Sequence, residues 1–336
     1  MFAKTRRTAL AAALLLAFAT AAQAEILYTV TDLGANLSTH GINNLGHVSG
    51  WSTAGQGFFW DGAMHFFAAT TVGRPNDLGQ VAIYGGYWDG SVHNISGFNG
   101  GDINNSGLLA GTSNADVAVY DLGTGLMTNL GRLPGDTVAY AYAINASGQV
   151  AGWSLQASTG VTRGFVHTPG SGMLDLGFLP GGNYTYPRDM NDSGQVVGYA
   201  RRADNSVCAF SYSAGSGITE LPTLTGYELM SEAHGIDSAG QIVGSAQTSS
   251  GDRAAFLYSG GTMTNLNDLI DPSLRVNLTY GRGINDNGQI AAIGLVGTVQ
   301  HGYLLTPISV PEPSTMVLLA GGFAALAIYA LRKRRG

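Results

Sequence analysis

Apolar and polar positions alternate in short runs along most of this chain. One phrase breaks the runs and returns with variations: an apolar residue, Asn, two turn residues, Gly, then an aliphatic run. It reads Ile144-Asn145-Ala146-Ser147-Gly148-Gln149-Val150-Ala151-Gly152 and Met190-Asn191-Asp192-Ser193-Gly194-Gln195-Val196-Val197-Gly198. Further copies start at Ile42, Ile103, Ile236 and Ile284, and a worn one at Pro75. Each copy predicts a hairpin in which Asn and Gly make the turn and β-branched residues leave it as a strand.

The turn glycines are Gly46, Gly79, Gly107, Gly148, Gly194, Gly240 and Gly288, separated by 33, 28, 41, 46, 46 and 48 residues. Periods in this range belong to solenoids and propellers. The best-formed unit holds four strand-like pieces: residues 163–167, 172–177, 186–190 and 195–199. Four short antiparallel strands per unit is the content of a propeller blade.

The ends of the array favour a closed ring. Tyr28-Thr29-Val30-Thr31-Asp32-Leu33-Gly34 resembles the second piece of later units, such as Met127-Thr128-Asn129-Leu130-Gly131, and His301-Gly302-Tyr303-Leu304-Leu305 resembles the first. The first unit therefore lacks a strand and the last unit has one to spare. Pairing the two ends removes both exposed edges. The fold expected is an all-β propeller of about seven four-stranded blades over residues 25–306. The two short units leave six blades plus an irregular segment open.

Composition agrees with many tight turns: 50 glycines in 336 residues and only 11% charged residues. Outside the termini the basic residues are nine arginines, with no lysine, against 21 acids. That balance excludes a nucleic-acid partner, whose phosphates demand the opposite sign. Cys208 is the only cysteine, so an internal disulfide and a multi-cysteine metal site are excluded. It lies in the apolar run 207–210 and is expected to be a small buried residue.

Both termini carry address signals. Residues 1–24 have a basic start (Lys4, Arg6, Arg7), an apolar core and the small-residue site Ala22-Gln23-Ala24, a secretory signal peptide cleaved between Ala24 and Glu25. At the other end, 307–315 form a linker containing Val310-Pro311-Glu312-Pro313-Ser314, 316–331 an apolar transmembrane helix, and 332–336 a basic cytoplasmic tail. The apolar run has 16 residues, fewer than the roughly 20 of a full span.

Two resemblances follow from these residues. The motif, apolar run and cations are similar to PEP-CTERM sorting signals. That resemblance implies an exosortase-type transpeptidase as partner, transient residence in the inner membrane, and removal of the tail. The repeats over roughly 26–306 resemble the HAF-repeat family of exported bacterial proteins, although Gly57-Phe58-Phe59, Ala118-Val119-Tyr120, Gly164-Phe165, Ala209-Phe210 and Ala255-Phe256 replace the literal His-Ala-Phe. This second resemblance implies an extracellular repeat domain and brings no catalytic residues.

The internal chemistry is sparse. Residues 102–107 and 189–194 look like the start of a calcium loop, but Ser113 and Ala200 stand where a bidentate Glu is needed, so turn chemistry is the simpler expectation. Glu228, Glu232 and His234 lie close in sequence; paired carboxylates suit glycoside cleavage, yet the segment is expected to be a solvated connection between units. Trp51 and Trp153 share one repeat position, which points to packing rather than to sugar stacking. No catalytic set, metal site or cofactor is expected. The expected function is a non-enzymatic, cell-surface or matrix scaffold associated with exopolysaccharide, biofilm or surface proteins. A secreted carbohydrate-active enzyme is the alternative.

Overall fold

A computed structural model describes residues 27–69 and 71–308. The signal peptide with its Ala24–Glu25 junction, the motif residues Val310, Pro311, Glu312, Pro313 and Ser314, the apolar run 316–331 and the basic tail lie outside the described residues. Among the described residues no helix is long and apolar enough to cross a membrane.

The described residues open with β1 (Tyr28–Ala35) and then build six four-stranded antiparallel sheets from consecutive strands. Blade 1 is β2 (Leu37–Ile42), β3 (Val48–Ser52), β4 (Gly57–Trp60) and β5 (Met64–Phe67). Blade 2 is β6 (Val72–Pro75), β7 (Val81–Ile83), β8 (Gly86–Trp88) and β9 (Val92–Asn94). Blade 3 is β10 (Asn99–Ile103), β11 (Leu108–Ser113), β12 (Asp116–Asp121) and β13 (Leu126–Gly131). Blade 4 is β14 (Val138–Ile144), β15 (Val150–Gln156), β16 (Val161–Thr168) and β17 (Gly172–Asp175). Blade 5 is β18 (Thr185–Met190), β19 (Val196–Arg201), β20 (Val207–Ser213) and β21 (Gly217–Glu220). Blade 6 is β22 (Met230–Ile236), β23 (Ile242–Gln247), β24 (Arg253–Ser259) and β25 (Thr262–Asn265).

Blade 7 holds β26 (Asn277–Ile284), β27 (Ile290–Val296) and β28 (Val299–Pro307), and its fourth strand is β1. The pairing runs from Tyr28 opposite Pro307 to Ala35 opposite His301. The expected closure by the two ends is therefore present, and there are seven blades rather than six. The first strands of neighbouring blades touch one another all the way round, β26 against β2 included, and form the wall of a central channel. Each phrase is the hairpin between a blade's first and second strands, so the units read from the sequence straddle two blades.

Burial follows the seams. Seven apolar clusters each draw on two adjacent blades, and the closing seam has its own in Leu37, Ile42, Val48, Phe58, Ala291 and Leu304. An aromatic from the third strand is fully buried in blades 1, 4, 5 and 6 (Phe58, Phe165, Phe210, Phe256), each paired with the second glycine of the phrase: Gly50, Gly152, Gly198 and Gly244. A Cβ on these glycines would overlap a carbonyl oxygen of the first strand, that of Tyr140 in the case of Gly152. This close approach explains the glycine. In blade 3 Phe98, just ahead of β10, lies over Gly111 instead.

Cys208 is buried in β20, as its apolar surroundings predicted.

Candidate functional site

The two ends of the channel differ in chemistry. At one end the seven phrase turns converge. In six of them an Asn side chain first closes its own turn: Asn43 Oδ1 accepts from the Leu45 and His47 N–H groups at 3.1 and 2.8 Å. Its Nδ2 then donates to the backbone carbonyl of the same residue in the next blade. The links run Asn43 to Asn76, Asn76 to Asn104, Asn104 to Asn145, Asn145 to Asn191, Asn191 to Asp237, and Asn285 back to Asn43, at 2.8–3.3 Å. In the four turns where Gln follows the glycine of an Asn phrase, it accepts the second Nδ2 hydrogen, as Gln149 does from Asn145 at 2.8 Å. The repeated Asn-x-x-Gly-Gln is thus a blade-to-blade fastening as well as a turn.

Below the turns lies Arg74, on the first strand of blade 2. Its guanidinium reaches Asp102 Oδ2 at 2.5 Å and also pairs with Asp189, three blades away. Both carboxylates further accept the N–H of the next blade's phrase residue: Ile144 for Asp102 and Ile236 for Asp189, at 3.0 Å each. Burial pushes the Asp189 carboxyl up to about 6, against the pull of Arg74 and the Ile236 N–H. Burial also opposes the charge on Arg74, but Asp102 and Asp189 more than offset it and hold its pKa above the ordinary value. The two suspected calcium-loop acids are therefore pillars of an ion triad, and the asparagines beside them do the turn work.

The next layer is built by β-bulges. In six of the first strands the register skips the second residue before the phrase, namely His40, Gly101, Tyr142, Arg188, His234 and Arg282. A bulged residue has no cross-strand partner and its side chain is re-aimed. Where that residue has a side chain it lines a small cavity of about 30 Å³ beside Arg74. His234 is buried, with Nε2 3.6 Å from Glu232 Oε2 and 3.4 Å from Ser245 Oγ. Burial, reinforced by the nearby arginines, holds His40 down at about 3 and His234 well below its usual value, so both are neutral.

Glu232 and His234 correct one expectation. The segment is not a solvated connection: both residues lie on β22, an inner strand, because the apolar and small residues Met230, Ala233, Gly235 and Ile236 pair it with β23. Glu228 stays outside, in the approach to the blade, with Oε1 accepting from the Gly226 N–H at 2.6 Å.

At the far end the mouth is aromatic. Tyr140, Trp153, Tyr186 and Tyr199 follow one another with ring centroids 4.6, 5.3 and 5.0 Å apart across blades 4 and 5, and Tyr184 lies 5.9 Å beyond Tyr199. Arg188 sits over Tyr142, Tyr186 and Tyr199 at 5.3, 4.9 and 5.4 Å, and Arg201 over Tyr184 at 5.1 Å. Trp51, in the equivalent place to Trp153, packs 5.5 Å from His40. The shared tryptophan position thus lies at the channel rim, with packing and a half-exposed face combined. Among the described residues no group of three or more His, Cys, Asp and Glu side chains is placed to hold a metal ion.

The comparisons with known proteins bear on the tail and on the fold. Residues 309–335 match the family model described as the PEP-CTERM protein-sorting motif. No protein of curated function matches the chain in sequence. Among solved structures the chain is similar to a putative TolB from Agrobacterium tumefaciens (13% identity, TM-score 0.46, 82% of this chain and 91% of that one). It is also similar to the acylaminoacyl peptidase of Pyrococcus horikoshii (14%, 0.45, 83% and 46%) and to the fungal lectin of Aleuria aurantia (11%, 0.38, 83% and 100%). One of these neighbours is an enzyme and another a lectin, and at such scores they say nothing of activity. The chain ends in a PEP-CTERM sorting signal, the mark of an exported protein that an exosortase handles.

Proposed function

We propose that this protein is a non-enzymatic binding scaffold, delivered by its sorting signal to the cell surface or extracellular matrix, where its aromatic mouth holds exopolysaccharide. The observation that carries this reading is the run of Tyr140, Trp153, Tyr186 and Tyr199, rigid ring faces in series beside an arginine-lined channel. Stacked aromatics give contact area at low entropic cost and leave edges for polar groups. The resemblance of the repeats to exported HAF-repeat proteins agrees with an extracellular role.

The test is co-sedimentation of the purified protein with the exopolysaccharide of the producing cells. Binding that drops when Tyr140 and Trp153 are both replaced by Ala supports the reading; equal retention by the double variant overturns it. The second reading, a carbohydrate-active enzyme, rests on Glu232 beside His234 in the channel. Release of reducing ends from the polysaccharide, abolished by Glu232→Gln, would establish it in place of the first.

A further inference from the structure

Arg188 and Arg282 share a layer of the channel, and among the described residues neither has a carboxylate within ion-pair distance or any hydrogen-bond acceptor in the protein. The Nε of each is buried and without a partner. Four other arginines of the body are ion-paired: Arg74 with Asp102 and Asp189, Arg132 with Asp116, Arg163 with Asp136, and Arg202 with Glu220. What Arg188 and Arg282 do have is aromatic support. Tyr280 lies 4.4 Å from the Arg282 guanidinium carbon, and three tyrosines flank Arg188. Stacking satisfies the face of a guanidinium and leaves its N–H edge free, the edge that takes an oxyanion in two parallel hydrogen bonds.

The charges around this layer are one-sided. Arg253 adds a third cation over the Tyr280 ring at 4.8 Å, with its own hydrogen bonds to Ser245 and Gln247. His40 and His234 face the cavity as neutral rings. Among the described residues Glu232 is the one carboxylate on this side, and it favours the charge of both arginines from beyond ion-pair distance; Asp102 and Asp189 lie on the turn side and are engaged by Arg74. A buried cation without a counter-charge is costly, and mutual repulsion adds to that cost.

We propose that this layer is a binding site for a single carboxylate-sized anion, held between the guanidinium edges of Arg188 and Arg282. The cavity of about 30 Å³ admits the head of such a group and not a sugar ring, so a carrier would remain among the tyrosines at the mouth. The shared chemistry is the carboxylate; its source is either a free small anion or an acidic sugar. The inference is separate from polysaccharide retention, since a free anion can occupy the site whether or not any polymer binds.

The experiment titrates the full chain, purified in non-ionic detergent with HEPES as the only other anion, with sodium acetate, sodium glucuronate and glucose. Acetate and glucuronate should raise the melting temperature saturably, and glucose should leave it unchanged. Arg282→Gln and Arg188→Gln should each weaken the saturable response about tenfold or more. Arg282→Gln should melt no lower than the parent without added anion, because it removes repulsion, and this separates a lost site from a lost fold. Tyr140→Ala should leave the acetate response intact. Glucuronate binding severalfold tighter than acetate identifies an acidic sugar as the source, and equal binding a free anion. A response that is absent, or equally large in Arg282→Gln, overturns the site.

Discussion

Asn285 donates its Nδ2 to the Asn43 carbonyl at 2.8 Å, joining residues 242 apart in sequence across the seam where the last blade meets the first. The same bond recurs at every other seam but one. Between blades 6 and 7 the donor position is held by Asp237, which closes its own turn through the Gln241 N–H but has no amide to pass on.

Replacing Asp237 by Asn should complete the ring. The gain expected is about 1 kcal/mol, that of one buried hydrogen bond together with relief of a buried carboxylate. Burial raises the Asp237 pKa, so the fold favours the protonated form, which can itself donate. The advantage of Asp237→Asn should be present at neutral pH and shrink as the pH falls through the carboxyl's titration. Chemical denaturation at pH 7.5 and pH 4 checks this; a variant no more stable than the parent at pH 7.5 contradicts it.

Removing residues 27–35 should open the ring. β28 would be left as a bare edge, and Tyr28, Val30 and Leu33 would leave the clusters that flank blade 7. Burial of Tyr28 alone is worth about 2 kcal/mol. The truncated chain should melt at a clearly lower temperature and associate through its exposed strand, measured by calorimetry and light scattering. An unchanged melting temperature would mean that closure by β1 contributes little.

The repeats were readable because the turn chemistry is local. Asn145, Gly148 and Gln149 bond with one another, so their spacing is fixed in sequence. Even the worn copy kept Asn76, which still passes its bond to the Asn104 carbonyl at 3.0 Å, and blade 2 forms despite Pro75. The channel was not readable, for a related reason. Arg74 meets Asp189 across 115 residues, and nothing near Asp189 announces the arginine. Glu232 and His234 read as a loop in the sequence because the bulge after Ala233 breaks the alternation that marks a strand. One signal was present: the second residue before each phrase is His, Gly, Gly, Tyr, Arg, His and Arg in turn, a side chain free to vary because it meets the channel and not a neighbouring strand.

The second phrase glycine gives a sharper mutational test than the first. Gly152→Ala places a methyl group into the Tyr140 carbonyl oxygen and against Phe165, and neither strand can retreat without loosening a seam. A loss of about 3 kcal/mol is expected, at the upper end of overpacking. Blade 7 shows what accommodation requires: it carries Ala292 at this position, and its first strand has two register shifts, at Leu278/Tyr280 and Gly281/Gly283, where blade 4 has one. Denaturant midpoints of Gly152→Ala against the parent decide the matter, and a change within about 0.5 kcal/mol, typical of surface sites, would show that the bulged strand yields.

The buried histidines should make the protein acid-labile well above the range of carboxylate titration. His40 is held at about 3 and His234 well below 6.5, first by burial and then by Arg282, Arg188 and neighbouring cations. Between the folded and unfolded values the unfolded chain binds more protons, so stability is full above 6.5 and falls as the pH drops below it. The slope is about 1.4 kcal/mol per pH unit for each histidine. Asp189 works in the other direction: its carboxyl is raised from 3.8 to about 6, and the stability it contributes is lost as the pH rises through that window. His40, His234 and His167, all held low, outnumber the raised carboxyls of Asp189 and Asp237, so unfolding free energy should decline from pH 6.5 to 4.5. The double variant His40→Gln, His234→Gln should flatten or reverse the decline, since the raised carboxyls of Asp189 and Asp237 then face only His167, which burial also holds low. Parallel slopes for parent and variant would place the acid sensitivity elsewhere. Added carboxylate should also soften the parent's decline, because an anion between Arg188 and Arg282 offsets the arginine charge that adds to burial in keeping both rings neutral.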